Sequence, residues 1–163
     1  MKMNVDSAHK SSWEIAEVVF GIPFLVSIAL HFMIPFSLSQ GIFRPIMISV
    51  GIVLIIIGIV LVVVTRREFA HFRQPTDPGH PTTKVIKTGV FSISRNPLYL
   101  GGVLVLFGIA LALNMLWAVV MLVLSMILCH YILILPEEQY LAAKFGDEYK
   151  EYVATVHRWL GRK

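Results

Sequence analysis

From Pro97 to Pro136 the chain contains no Asp, Glu, Lys or Arg. A helix rises about 1.5 Å per residue and a bilayer's hydrocarbon core is about 30 Å thick, so one crossing takes about 20 residues. The run is about twice that length and reads as two crossings. Asn114, between Leu113 and Met115, lies near its middle and supplies the turn of a tight helical hairpin. A single long helix would instead leave Trp117, Val119 and Val120 in water. Two shorter uncharged runs precede it, Val18 to Phe43 and Pro45 to Thr65, each the length of one crossing. The first carries Pro23, His31 and Pro35, which membrane helices tolerate because neighbouring groups re-satisfy the freed carbonyls. His31 is expected to hydrogen-bond a neighbouring helix. Gly51 and Gly58 share one face of the second and permit close helix packing.

Charge agrees with this layout. Only 15% of residues are charged, against about 25% in soluble domains, and mean hydropathy is +0.75. All 14 Lys and Arg except Arg44 fall in three polar segments, a tail (1–14), a loop (66–96) and a second tail (137–163). Four crossings put these three segments on one face, which the positive-inside rule makes cytoplasmic. The net charge of +4 is therefore accounted for by topology, and no nucleic-acid partner is expected. The single cysteine, Cys129, excludes an intrachain disulfide and reads as a buried structural thiol. The expected architecture is an all-α integral membrane protein with four transmembrane helices. Residues 15–65 form the first two, 97–136 the hairpin, and 137–163 cytoplasmic amphipathic helices. The first apolar run begins inside the chain and is too long for a signal-peptide core. The short chain fits a prokaryotic plasma membrane.

The loop opens with a turn-rich stretch, Thr76 to Pro81, holding Asp77 and His80, with His71 before it. Their spacing matches no metal-ligand pattern, so no metal is expected. At its end, Asn96 precedes a proline and is pushed out of the helical region. Pro97 suits a first helical turn and Asn96 an N-cap. A helix N-terminus beside Arg95 is a seat for an anion, with Tyr99 one turn in and Gly101-Gly102 permitting close approach. A plain helix start with a positive-inside arginine explains the same residues equally well.

Leu135-Pro136-Glu137-Glu138 is expected to end the last crossing, with Pro136 breaking the membrane helix and starting another. Acids are favoured in that first turn, and one of them would also bind a cationic or hydroxyl-bearing ligand. Phe145-Gly146-Asp147 reads as a helix stop followed by a new N-cap. From Asp147 onward Tyr149, Tyr152, Val153, Val156 and Leu160 fall on one face of an amphipathic helix, with Lys150, Glu151, His157 and Arg158 largely opposite. Such a helix would lie on the membrane surface or cover the loop.

Thr88-Gly89-Val90-Phe91, Ser94 through Gly101, the Glu137-Glu138 pair and Phe145 through Tyr152 together resemble the isoprenylcysteine carboxyl methyltransferase and phospholipid methyltransferase superfamily. The resemblance covers roughly residues 80–160. It implies a membrane-embedded methyltransferase using S-adenosyl-L-methionine, with the cofactor at the cytoplasmic end of the last hairpin. By that resemblance Val85, Ile86 and Phe91 line the cofactor site, Arg95, Asn96, Pro97, Leu98 and Tyr99 form its main motif, and Glu137 contacts the cofactor from the other side. Two departures stand out. Asn96 replaces a histidine frequent in the family, and Tyr131 to Leu135 lacks the arginine that eukaryotic members carry just before the glutamate pair. That absence argues against a prenylcysteine carboxylate as substrate.

The implied partners are the bilayer and a lipophilic or small-molecule methyl acceptor; the sequence leaves the acceptor and the oligomeric state open. A carboxylate acceptor needs no base, whereas an amine or thiol needs one, for which Glu138 and His130 are the candidates. Two alternatives remain, a nicotinamide-dependent membrane reductase of the sterol-reductase type and a non-catalytic four-helix scaffold.

Overall fold

The computed structural model describes residues 16–74 and 82–163. The tail 1–14 and the stretch Thr76 to Pro81, with Asp77 and His80, lie outside them. The described residues are helical, with no strand among them. The elements are α1 (Ala16–Met33), α2 (Phe43–His71), α3 (Pro97–Ala112), α4 (Leu116–Leu128), α5 (Leu135–Phe145) and α6 (Asp147–Thr155). A 3-10 turn (Gly89–Ser92) precedes α3, and a π-helical segment (Cys129–Ile134) joins α4 to α5.

Three helical stretches are long and apolar enough to cross a membrane: α1, α2 and the continuous run Leu116–Phe145. α3 is apolar but has 16 residues, about 24 Å of helix. Exposed Ile, Val, Leu and Phe cover α1, α2 and α4, as expected of surfaces that face lipid rather than water.

The helix ends beside the α3–α4 turn differ from the expectation in two respects. α1 stops at Met33, so Pro35 lies in an irregular stretch rather than in the helix. That stretch covers the α3–α4 turn. Asn114 adopts φ 60° there, a conformation asparagine tolerates better than most residues. Its side chain accepts from the Ser39 N–H at 2.9 Å and donates to the Ser39 carbonyl at 3.0 Å. Trp117 Nε1 donates to the Ile34 carbonyl at 2.8 Å. These bonds satisfy backbone groups that would otherwise meet hydrocarbon. His31 departs from its expected role: Nδ1 is buried and finds no partner among the described residues.

Pro136 does not break the last helix. It lacks the N–H that would bond back one turn, and its ring crowds that turn's carbonyl. The π-widened segment just before it absorbs the mismatch, and helical geometry continues to Phe145. Gly146, at φ 54°, then turns the chain into α6. α6 ends at Thr155, short of the expected Leu160. Residues 156–163 fold back instead, with Gly161 N–H donating to the Ile93 carbonyl and Arg95 N–H to the His157 carbonyl.

α2 and α3 meet along a glycine seam. A Cβ on Gly51 would lie 2.5 Å from the Gly108 carbonyl oxygen, and one on Gly58 would lie 2.7 Å from that of Gly101. Gly102 on α3 faces open space. Gly51→Ala is therefore expected to cost about 1–3 kcal/mol through overpacking. Gly102→Ala should be neutral or gain up to about 1 kcal/mol from helix propensity. Thermal unfolding of the two variants in detergent separates them, and equal melting temperatures would show that the seam is not tight.

Candidate functional site

A cleft opens where the loop before α3 meets α5 and α6, at one end of the helices. Its apolar walls are Val85, Ile86 and Phe91 on one side and Leu141 with Tyr149 and Tyr152 on the other. Arg95, Asn96, Glu137 and Glu138, with Thr82 and Lys84, supply its polar groups. The cleft encloses about 70 Å³.

Local geometry explains how the loop is held there. Gly89 takes φ 55°, and a Cβ there would meet the Glu68 carboxylate at 2.8 Å. Thr88 Oγ1 donates to that same carboxylate at 2.9 Å, so the Thr88-Gly89 step is fixed against α2. The following 3-10 turn points Phe91 inward, edge-on to Phe69 at 5.2 Å. Tyr152 donates to the Phe91 carbonyl at 2.7 Å. Burial raises the Tyr149 phenol to about 12 and shifts the Tyr152 phenol upward as well. Both therefore stay neutral and act as hydrogen-bonding walls.

The charged centre is built around Glu138. Arg95 Nη1 lies 2.9 Å from Oε1, and Arg158 grips the carboxylate with two bonds, Nε to Oε1 at 2.9 Å and Nη2 to Oε2 at 2.7 Å. Arg158 Nη1 also reaches His130 Nδ1 at 3.3 Å. A guanidinium can only donate, so Nδ1 accepts and neither His130 Nδ1 nor Glu138 is free to take a proton in this arrangement. Arg95 Nε is buried without a partner. Glu137 stands apart from this network: its Oε2 accepts from Tyr99 at 3.5 Å, longer than a strong O–H···O bond, and it has no ion pair among the described residues.

Seven of the sequence-predicted residues thus meet at one cleft: Val85, Ile86, Phe91, Arg95, Asn96, Glu137 and Glu138. Pro97, Leu98, Tyr99 and His130 do not line it. Pro97 is buried in the first turn of α3, and Tyr99 packs on the Val19–Phe20 cluster. Asn96 occupies the N-cap position without a side-chain cap bond; its Nδ2 donates to the Arg158 carbonyl at 3.1 Å instead. Sequence reasoning missed Phe69, Thr82, Lys84 and Leu141 on the walls, and above all Arg158. By sequence Arg158 faces away from the apolar side of a helix, but that helix ends before it, at Thr155. It brings a guanidinium to the glutamate pair from the C-terminal tail, where Tyr131 to Leu135 offers none.

Apolar helices of membrane-crossing length, with a cleft at one end that Arg95, Glu137 and Glu138 line, define a helical membrane protein. The phospholipid methyltransferase family model matches residues 46–148, and the chain belongs to that family of membrane methyltransferases. The match runs from α2 into α6 and contains every cleft residue named above except Tyr149 and Tyr152. No curated protein and no solved structure matches the chain.

Glu138→Gln keeps the shape but leaves Arg95 and Arg158 facing each other without their shared counter-charge. The expected loss is about 1–3 kcal/mol, lessened by the partial exposure of Arg158. Melting curves for Glu138→Gln and Arg158→Ala check this, and two unchanged midpoints would mean that the network holds nothing in place.

Proposed function

We propose that the chain is an S-adenosyl-L-methionine-dependent methyltransferase acting on a lipophilic or small acceptor reached from the membrane. The observation that carries this reading is the buried, unpartnered Nε of Arg95 in a cleft lined by the family's motif residues. A buried donor without a partner is costly, and the cofactor's carboxylate would satisfy it with a charge-assisted bond. Val85, Ile86, Phe91 and Leu141 offer an apolar slot for an adenine, and Glu137 offers a carboxylate to the cofactor's amine or ribose hydroxyls. The enclosed volume is smaller than a cofactor, so loading would part the 82–86 segment from α5 and α6.

When bound, the cofactor supplies an electrophilic methyl group on a cationic sulfur. The chain's part is placement. Arg95 fixes the anionic end, the tyrosine wall excludes water, and Glu138 keeps Arg95 and Arg158 oriented. Both oxygens of Glu138 are occupied by the two arginines. An acceptor that must lose a proton would therefore use Glu137, or His130 after Arg158 withdraws. In this reading α1 to α4 are four crossings, with both tails and the 66–96 loop on the cytoplasmic side.

Calorimetric titration of the detergent-purified protein with S-adenosylhomocysteine tests the assignment. Saturable binding is expected, weakened about tenfold to a hundredfold in Arg95→Ala, the loss of one charge-assisted contact of about 1.5–3 kcal/mol. If Arg95→Ala and Glu137→Ala both bind as the parent does, the site lies elsewhere. Binding of a reduced nicotinamide in its place would favour the reductase reading.

Single cysteines test the topology in a Cys129→Ser background. Cysteines in the 66–96 loop and in 137–163 should resist an impermeant maleimide applied from outside, while one at Arg44 should react. Labelling of the loop from outside would overturn the arrangement.

A further inference from the structure

The C-terminal end of α2 closes on an arginine where a glycine is usual. Phe72 caps the helix, and Arg73 leaves it at φ 53°, in the left-handed region. Arg73 N–H donates to the Ala70 carbonyl at 3.0 Å and Gln74 N–H to the Phe69 carbonyl at 2.8 Å, the two bonds of a Schellman turn. Gln74 is buried, and its side-chain amide makes three bonds. Nε2 donates to the Phe72 carbonyl at 3.2 Å and to Thr83 Oγ1 at 2.5 Å, and Oε1 accepts from the Thr83 N–H at 2.8 Å. The first bond is local to the helix end. The other two reach a residue nine positions further on.

Thr83 stands at the start of one cleft wall. Lys84, Val85 and Ile86 follow it and line the cleft, and Lys84 Nζ lies 4.5 Å over the Phe72 ring. At the other end of the same stretch Thr88 is bonded to Glu68 of α2. The 83–88 segment is thus hung between two polar clamps on α2, with Val85 and Ile86 between them. It has no helix or strand of its own, so these clamps supply order that backbone ladders supply elsewhere. A helix end does not require a glutamine. An amide, offering a donor and an acceptor side by side, matches the hydroxyl and the N–H of Thr83.

We propose that Gln74 is a positioning residue for the cleft: by holding Thr83 it sets Val85 and Ile86 at the separation from Leu141 and Tyr149 in which the cofactor is bound. This rests on the methyltransferase reading of the cleft. Gln74 is not among the residues that line the cleft, so its effect passes through the wall. A wall ordered before the ligand arrives avoids an ordering cost on binding. A loose wall has to be ordered by the ligand, which lowers affinity. The clamp also refers this wall to α2, which the glycine seam joins to α3.

Hydrogen exchange of the ligand-free full chain and its titration with S-adenosylhomocysteine test this, with the melting temperature as control. Gln74→Met keeps the side chain's length and removes its bonds. Thr83→Val removes only the hydroxyl, and Thr83→Ser restores it. Gln74→Met and Thr83→Val should speed exchange in 83–88 while α3 and α6 stay protected. Binding should weaken about fivefold in Gln74→Met, which is about 1 kcal/mol, and about threefold in Thr83→Val. Thr83→Ser should return both readouts to the parent values. If Gln74→Met does not fold, Thr83→Val and Thr83→Ser carry the test. Faster exchange in 83–88 with parent affinity would make the clamp a structural tie alone and overturn the positioning role. Unchanged exchange would overturn it too, as would faster exchange throughout the chain with a lowered melting temperature. The parent's own titration separates the two readings. A parent that binds, with variants that bind equally well, removes the role of Gln74 alone, whereas a folded parent that binds nothing removes the methyltransferase reading and the positioning role together.

Discussion

One carboxylate shared by two guanidiniums organises the end of this protein where the loop before α3 meets α5 and α6. Glu138 rises from the first turn of α5 and is met by Arg95 from the loop and Arg158 from the tail. Each charge would be expensive to seclude alone. Together they hold three chain segments that share no secondary structure. The cleft exists because those segments converge: the loop supplies one wall, α5 and α6 the other, and the tail holds the loop through its bonds to Ile93, Arg95 and Asn96.

The helices beneath set the position of that cluster. Glycines on α2 and α3 bring the two backbones close enough to act as one unit, and α1 with α4 forms the other. The π-helical segment lets the last helix carry Glu137 and Glu138 past Pro136 without a break. A break there, as the proline suggests in isolation, would detach the carboxylates from the span that places them. The widened turn also carries His130, which ends on Arg158 rather than in the cleft.

Function divides along the same lines. Arg95 is bonded at Nη1 and unsatisfied at Nε, so it is already oriented while keeping one donor unused. Glu138 is fully engaged and serves to orient its neighbours. Glu137, one residue earlier, faces the cleft without a cation and keeps its capacity for ligand or proton. Adjacent identical side chains thus take different parts because a helix turns them about 100° apart.

The sequence by itself determined the helical membrane character, the start of α3 at Pro97, the turn at Asn114 and most of the cleft. The cleft residues came through the resemblance of separated blocks to a family; each of the others rests on a local rule, the length of an uncharged run or the dihedral limits of proline and asparagine. Only the tertiary structure decided the rest. The amphipathic pattern from Tyr149 to Leu160 reads as one helix, yet the chain leaves helical geometry at Thr155, where its backbone finds partners in the loop before α3. Arg158 then turns from an outward-facing residue into the second guanidinium on Glu138. Asn96, an N-cap by its position, gives its side chain to the Arg158 carbonyl because the tail has come within reach. Such contacts join residues far apart in sequence, and no spacing or propensity along a single segment encodes them.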